Sequence, residues 1–343
     1  MRLPVAAELP ASFLFWLRMT MERALQFLEF VLVAFTISLV HRQLMLVNGG
    51  WASVCRCTAF GLRMTLLFAP LLIEPEHVRL RALACVVAID QFFKTTEYAA
   101  FCRQPQFQQP ALLCYLKFLV PFPVLHVRLA EQTCRSRWNV LQLRPAAGGL
   151  TVFGLCFLSL EWLAEVRIIR SSFAVDHTVK FVVFMIATES VAQFVHRVER
   201  FAGYDPPPLV DRAFASQSVG EFWQRFDTRV HSWLLHNVFL PLGGRRAPVR
   251  GVFLVFFVSG LLHETGFAVA TSRWDGYQFI FFLLQVPVVC LERLVPCATM
   301  SGSRVKTAWH VGTVAWMWAT SMLFFHGVNR VFPGFYASTP WLP

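Results

Sequence analysis

Charged residues are scarce in this sequence. Asp, Glu, Lys and Arg make up only 15% of its 343 residues, whereas 56% are hydrophobic and the mean hydropathy is +0.52. A soluble domain has about a quarter of its residues charged. The apolar residues are gathered in long runs, which indicates several membrane spans and not one large soluble core.

Paired cysteine motifs and a cleavable leader are also missing. The nine cysteines are scattered, several of them within apolar runs, and no CxxC motif pairs with a second one. This spacing argues against a disulfide framework or a zinc site, so we predict no metal. The first 25 residues lack the clean apolar core and the cleavage site of a signal peptide. We interpret them as an interfacial lead-in to the first span.

Acidic residues are fewer than basic ones, and the formal net charge is +11. Nucleic acid is a common partner of so basic a chain, but no soluble basic domain is present to bind it. The Lys and Arg residues lie mostly in short segments between apolar runs, as in cytoplasmic loops that face anionic lipid. We expect a multi-pass membrane protein with lipids as partners, in the endoplasmic reticulum if eukaryotic or the inner membrane if bacterial.

Nine apolar runs are each long enough, or nearly so, to cross about 30 Å of hydrocarbon as a helix. They predict an all-α, polytopic transmembrane helix bundle of about eight or nine spans. No internal repeat is visible, and we treat residues 1–343 as a single domain. The runs lie near residues 24–40, 57–74, 82–101, 110–127, 147–166, 173–195, 252–271, 276–292 and 307–328.

The third apolar run contains the ionisable residues Asp90, Lys94 and Glu97. Such residues are unfavourable at membrane depth and should face the interior of the bundle or a wet cavity. Asp90 and Lys94 are four residues apart and therefore adjacent on one helix face. We expect them to neutralise each other inside the bundle, and a role in substrate binding is the alternative.

Residues 199–250 form the longest segment without the composition of a span. Three prolines at 206–208 stop any helix there. Ser218 and Glu221 then form a capping-box pattern that opens a new helix. Its apolar residues fall on one stripe, and we predict a single amphipathic helix at the membrane interface, ending near Pro241.

His263 and Glu264 lie near the middle of the next apolar run. On composition alone, a histidine that packs between helices is as good an interpretation as a functional one. The small residues Ser259 and Gly260, just upstream, would let another helix or a substrate chain come close.

Two segments around this pair resemble the membrane-bound O-acyltransferase superfamily, and most closely its wax synthases and its diacylglycerol and sterol acyltransferases. Asp227 in the first segment and His263 in the second are 36 residues apart. The two segments together are more specific than either alone, and the resemblance is strongest over residues 216–290. Gln285 and Pro287 in the following run also fit. The matching residues are Phe222, Trp223, Val230, His231, Trp233, Phe239 and Pro241, then Val258, Ser259, Gly260, His263 and Glu264.

The resemblance implies acyl transfer from acyl-CoA, a co-substrate and not a permanently bound cofactor, to a lipid alcohol. His263 would be the general base, and Asp227 would position the acceptor or His263. Asp227 stands where the family usually has Asn, which leaves its role less defined. Glu264 points about 100° away from His263 and is expected to anchor a neighbouring helix. His231 and Ser259 are expected to support the site, His231 with an interfacial structural role as the preferred alternative.

Several arginines follow or lie on the predicted amphipathic helix and suit the phosphates of CoA. Ordinary positive-inside anchoring explains any one of them equally well. The predicted CoA-binding residues are Arg225, Arg229, Arg245 and Arg246, with Arg250 beside them.

Other acyltransferase routes lack their motifs here. Neither HHxxxDG nor HxxxxD occurs, since none of the ten histidines has Asp five residues later. The expected product is a wax ester made from a long-chain alcohol. Sterols, diacylglycerol or a secondary-metabolite hydroxyl are alternative acceptors, and a non-catalytic membrane transporter is the alternative of a different class. A homodimer is left open.

Overall fold

The computed structural model describes residues 11–120, 138–204, 206–294 and 303–337 of the protein. Within these ranges the regular structure is entirely helical, as the sequence predicts. Short 3-10 turns and one π-helical turn, Leu235–Phe239, connect or extend the helices. The α-helices are α1 Ala11–Met45, α2 Ala52–Leu66, α3 Val78–Phe101, α4 Leu112–Leu119, α5 Leu143–Glu165, α6 Arg167–Ser171, α7 Phe173–Phe201, α8 Val219–Phe226, α9 Thr228–Leu234, α10 Pro248–Thr271, α11 Tyr277–Glu292 and α12 Ser303–Val331.

Four of the described helical segments are long and apolar enough to cross a membrane. They cover 19–45, 140–165, 173–201 and 248–271, and α11 is a shorter apolar helix. The chain is therefore a polytopic helical bundle, but the predicted count of eight or nine spans is not confirmed. The predicted run at 57–74 gives only the 15-residue α2, because a 3-10 turn at Pro70 follows it. The end of the predicted run at 110–127 lies outside the described residues.

The centre of the bundle is the pair α10 and α11, with α3 packed along α10. At Gly260 the contact between α10 and α11 is close, since a Cβ on this residue would lie 3.1 Å from the ring of Phe279. Along the second contact, Ile89 lies against Gly266, and Arg81, two turns earlier on α3, donates to the hydroxyl of Ser272 at the end of α10 at 2.8 Å. The two helices therefore run antiparallel in a fixed register.

The predicted single amphipathic helix is in fact two helices, and this prediction was wrong. The chain is extended at Asp227, with φ −144° and ψ 93°, between α8 and α9. Asp227 is the N-cap of α9, because its carboxylate accepts the backbone N–H of Val230 at 3.0 Å. Thr228 turns away to donate its N–H to the carbonyl of Leu209 at 2.9 Å.

The start of α8 has the cap that the sequence predicts, with an addition. Ser218 accepts the N–H of Glu221 at 3.0 Å, and the carboxylate of Glu221 accepts the N–H of Gln217 at 2.6 Å. Glu292, at the end of α11, also accepts the N–H groups of Val219 and Gly220, at 2.6 and 2.8 Å. These bonds satisfy donors that a helix start leaves open and fix α8 to α11.

Several ion pairs lie inside the bundle, and two of them bear on the sequence predictions. Asp90 and Lys94 pair at 2.5 Å between Oδ2 and Nζ, as the sequence predicts. The second pair was not predicted. Arg229 on α9 binds Glu199 on α7 through both guanidinium Nη atoms, at 2.7 and 2.5 Å, and also donates to the carbonyl of Pro207. Arg229 and Glu199 are only 2% and 5% exposed, so the pair joins α7, α9 and the proline segment in the interior.

We predict that Glu199→Gln lowers the stability of the folded bundle strongly, by about 3 to 5 kcal/mol, because it leaves Arg229 buried without its counter-charge. Thermal unfolding in detergent, followed by tryptophan fluorescence, measures the effect. Glu165→Gln is the matched control, since Glu165 pairs with Arg170 at 3.3 Å while both side chains are more than half exposed. That change should cost less than about 1 kcal/mol. Equal losses in the two variants would contradict the buried pair.

Candidate active site

A chamber of ≈ 810 Å³ lies between α3 and helices α7 to α12. Its walls are mostly Phe, Leu, Val and Met side chains, so polar groups in them stand out. The polar or charged residues that line it are Asp90, Gln224, Asp227, Arg229, His231, Ser259, His263, Arg293 and Ser321. His263, Asp227, His231 and Ser259, which the sequence placed in one site, thus share one chamber.

Exposed residues line the chamber at two places of different character. Gln224 and Arg293 line it and are exposed, which marks a polar end beside the α8–α11 junction. Val86 and Phe332 also line it and are 48% and 36% exposed, which marks an apolar end. His263 lies in the wall of the same chamber, about two thirds of the way along α10.

The imidazole of His263 is held in one tautomer. Its Nδ1 lies 2.9 Å from the backbone carbonyl of Ser259. A carbonyl oxygen can only accept, so Nδ1 carries the proton and Nε2 keeps its lone pair. The ring packs on Phe282, with centroids 4.4 Å apart, and on the edge of Phe324 at 5.8 Å. These contacts fix a neutral imidazole with one basic nitrogen in an apolar wall.

Glu264 turns away from the chamber and binds the start of α11. Its carboxylate faces four backbone N–H groups at 2.8 to 3.3 Å and is 1% exposed. Two belong to the turn before α11, at Asp275 and Gly276, and two to its first turn, at Gln278 and Phe279. A carboxylate with this many donors is strongly held. Glu264 is an anchor in this geometry and has no lone pair directed at the reacting groups.

Asp227 caps the start of α9 and also forms part of the chamber wall. Burial raises its pKa to about 6, while the Val230 N–H and the charge of Arg229 act in the opposite direction. Burial also lowers the pKa of His231, one turn further along α9. Both groups therefore favour the neutral form more than they would in water.

The predicted arginine set does not form one site. Arg229 is committed to Glu199, and Arg225 pairs with Glu221 at 2.6 Å. Arg245 and Arg246 are exposed in a turn after the π-helical segment and do not line the chamber. Arg293, at the polar end, is the chamber-lining arginine that sequence reasoning missed. Its place immediately after an apolar run was the available signal.

We predict that Asp227→Asn stabilises the protein in a pH-dependent way. Since the folded-state pKa of about 6 lies above the ordinary 3.8, the contribution of Asp227 to stability is complete below about pH 3.8 and is lost as pH rises through 6. At pH 7.5 the buried carboxylate costs up to about 3 kcal/mol. Asn keeps the cap without the charge.

The unfolding temperature of Asp227→Asn should therefore exceed that of the wild type at pH 7.5 and approach it at pH 4. Asp211→Asn, at a half-exposed position, should show no such pH-dependent difference. A constant gain or loss at both pH values would rule out the buried charge as the cause.

Comparison with known proteins gives the family. The model of the membrane-bound O-acyltransferase family matches residues 92–324, more than half of the chain. A probable sterol O-acyltransferase 2 of Schizosaccharomyces pombe is 29% identical over 111 residues, 32% of this chain and 23% of that protein. Diacylglycerol O-acyltransferase 1 of Arabidopsis thaliana is 28% identical over 75 residues, 22% and 14% of the two chains.

A bacterial relative matches as well. The probable alginate O-acetylase AlgI of Pseudomonas aeruginosa is 31% identical over 71 residues, 19% of this chain and 14% of that protein. The matched segments thus span less than a quarter of each of these relatives. The family model, the helical bundle and the apolar spans agree, and this integral membrane protein belongs to the membrane-bound O-acyltransferase family.

Proposed function

We propose that the protein transfers an acyl group from acyl-CoA to the hydroxyl of a lipid alcohol, with His263 as general base. The observation that carries this proposal is the state of the imidazole. Its Nδ1–H binds the carbonyl of Ser259, and its ring lines a mostly apolar chamber. A base held in the correct tautomer in a place that disfavours water suits acyl transfer more than hydrolysis.

The reaction balances with this one base. Nε2 of His263 takes the proton of the acceptor hydroxyl as its oxygen attacks the thioester carbonyl carbon. The tetrahedral intermediate collapses by breaking the carbon–sulfur bond. The leaving thiolate of CoA takes the proton from Nε2, which regenerates the neutral imidazole. Asp227, at the junction of α8 and α9, would orient the acceptor.

The two ends of the chamber suit the two substrates. CoA carries phosphates, and Arg293 at the polar end offers a guanidinium that binds phosphate oxygens. The alcohol is a lipid, and the end at Val86 and Phe332 is apolar and exposed. Entry of the donor at the first end and of the acceptor at the second would bring the thioester and the hydroxyl together at His263.

For the acceptor we propose a long-chain alcohol and a wax ester as product. The support is the apolar second end, together with residues 90–98, an Asp-x-x-x-Lys-x-x-Glu-Tyr segment that resembles one in wax synthases. Names of relatives point to other acceptors, namely sterol, diacylglycerol and alginate. The class of acceptor is therefore settled by assay, with one labelled acyl-CoA and a panel of alcohols, sterols and diacylglycerol. A transporter would give no ester with any of them.

We predict that His263→Ala lowers kcat by about 10²- to 10⁴-fold, the usual contribution of a general base. Release of free CoA and formation of ester by the purified protein measure the loss. His236→Ala is the matched control, because His236 also binds a carbonyl four residues earlier through Nδ1, at 2.8 Å, but is exposed and does not line the chamber. Wild-type turnover by a folded His263→Ala protein would refute the assignment.

We predict that Arg293→Ala raises the KM for acyl-CoA by about 3- to 10-fold, the loss expected for one exposed charge-assisted contact. An acyl-pantetheine donor, which lacks the nucleotide phosphates, should have the same KM with the variant and with the wild type. Arg170→Ala, an exposed arginine on α6 away from the chamber, serves as control. An unchanged KM for acyl-CoA would mean that the donor does not enter at this end.

A further inference from the structure

One charged wall of the chamber has no part in the mechanism above. Asp90 on α3 lines the chamber, and its side chain is 12% exposed. The contact of Ile89 with Gly266 and the hydrogen bond from Arg81 to Ser272 fix how α3 lies along α10. In that register Asp90 is about two residues, or roughly 3 Å along the helix axis, from the level of His263.

The carboxylate of Asp90 is held firmly in this place. Its Oδ2 lies 2.5 Å from Nζ of Lys94, and that ammonium group also donates to the carbonyl of Val120 at 2.7 Å. Lys94 is fully buried, so its ammonium group cannot exchange Asp90 for water. Among the described residues, no donor other than Lys94 binds the carboxylate of Asp90. An ionised carboxylate has about four acceptor positions, so acceptor capacity remains beyond the bond to Lys94.

We infer that Asp90 selects the acceptor by accepting a hydrogen bond from a second hydroxyl, close to the one that reacts. This inference rests on the proposed acyl transfer to a lipid alcohol, and it shifts the preferred acceptor from a simple long-chain alcohol to one that carries a second hydroxyl. A simple long-chain alcohol has one hydroxyl, whose proton goes to His263. Its alkyl chain would then lie against the carboxylate of Asp90. Diacylglycerols and sterols also have a single hydroxyl. A long-chain 1,2-diol, or a monoacylglycerol, has a second donor within two carbon atoms of the first.

Physical chemistry favours the acceptor with two donors. A carboxylate that faces an alkyl chain loses water and gains no partner, which is unfavourable. A site built to bind a hydroxyl discriminates strongly against the analogue without it, because its own polar group is left unpaired. A hydrogen bond to a charged group contributes about 1.5 to 3 kcal/mol, which corresponds to about 10- to 100-fold in kcat/KM.

The chain contains a second Asp–Lys pair that is not exposed to the chamber. Asp176 and Lys180 on α7 are also four residues apart, with Oδ1 and Nζ at 3.7 Å, and both are fully buried. Neither lines the chamber, and Asp176 binds the backbone N–H of Ala337. An Asp–Lys pair can therefore be part of the bundle alone, and the second pair is the control for the first.

The experiment compares two acceptors of equal chain length, a primary alcohol and its 1,2-diol, with one acyl-CoA. The quantity measured is the ratio of their kcat/KM values, from which the amount of folded protein cancels. We expect a ratio of about 10 to 100 in favour of the diol for the wild type. Asp90→Asn should lower this ratio by about tenfold or more. Because it leaves Lys94 unpaired, the double variant Asp90→Leu/Lys94→Met is measured too, as replacing a whole buried pair is often tolerated.

The control variant Asp176→Leu/Lys180→Met should keep the ratio of the wild type. If the wild type esterifies both acceptors equally or prefers the simple alcohol, the inference about Asp90 is wrong while acyl transfer stands. If the diol is preferred but both Asp90 variants keep that preference, another residue reads the second hydroxyl. If no acceptor gives ester, acyl transfer itself fails, and the inference fails with it.

Discussion

The chamber depends on one contact, the binding of the start of α11 by the carboxylate of Glu264. Four backbone N–H groups point at this carboxylate from the turn and first residues of α11. In an apolar surrounding neither the carboxylate nor the N–H groups could remain unpaired, so the contact fixes the height of α11 against α10. Phe282 on α11 then comes to lie on the ring of His263.

The sequence neighbours His263 and Glu264 divide two tasks because of helix geometry. Successive residues on a helix point about 100° apart, so one side chain can face a neighbouring helix while the next faces a cavity. Glu264 has its lone pairs filled by α11. In His263, Nδ1 binds the carbonyl of Ser259, and the lone pair of Nε2 remains unused. Glu264 is thus fixed to α11, while the adjacent His263 keeps one ring nitrogen available to the chamber.

The same requirement, that buried polar groups find partners, explains what could and could not be predicted from the sequence. Partners within four residues were predictable, as for Asp90 with Lys94 and the cap at Ser218. Partners from distant elements were not, since the pairing of Arg229 with Glu199 depends on how α7 and α9 meet. Arg229 was predicted to bind CoA because it lies in an arginine-rich segment, and no sequence signal indicated its pairing with Glu199.

The break at Asp227 was missed for a different reason. The apolar stripe continues at helical spacing through the segment, and that periodicity suggested one helix. Asp followed by Thr is nevertheless a good helix start, because the Asp side chain caps the residues after it. The periodicity favoured one continuous helix, and the local Asp-Thr pattern favoured a new start. The second is observed, because the carbonyls of Pro208 and Leu209 accept hydrogen bonds from Thr228.

The size of the chamber fits a reaction between two large amphiphiles only because each can remain partly outside. A volume of ≈ 810 Å³ is within the range of pockets for single small ligands. Phosphates keep most of their hydration if they stay at an exposed arginine, and alkyl chains stay in an apolar environment if they remain among lipid tails. The chamber then has to enclose only the thioester, the hydroxyl and their nearest atoms. A polar opening at Arg293 and an apolar one at Val86, with His263 between them, meet that requirement without a larger cavity.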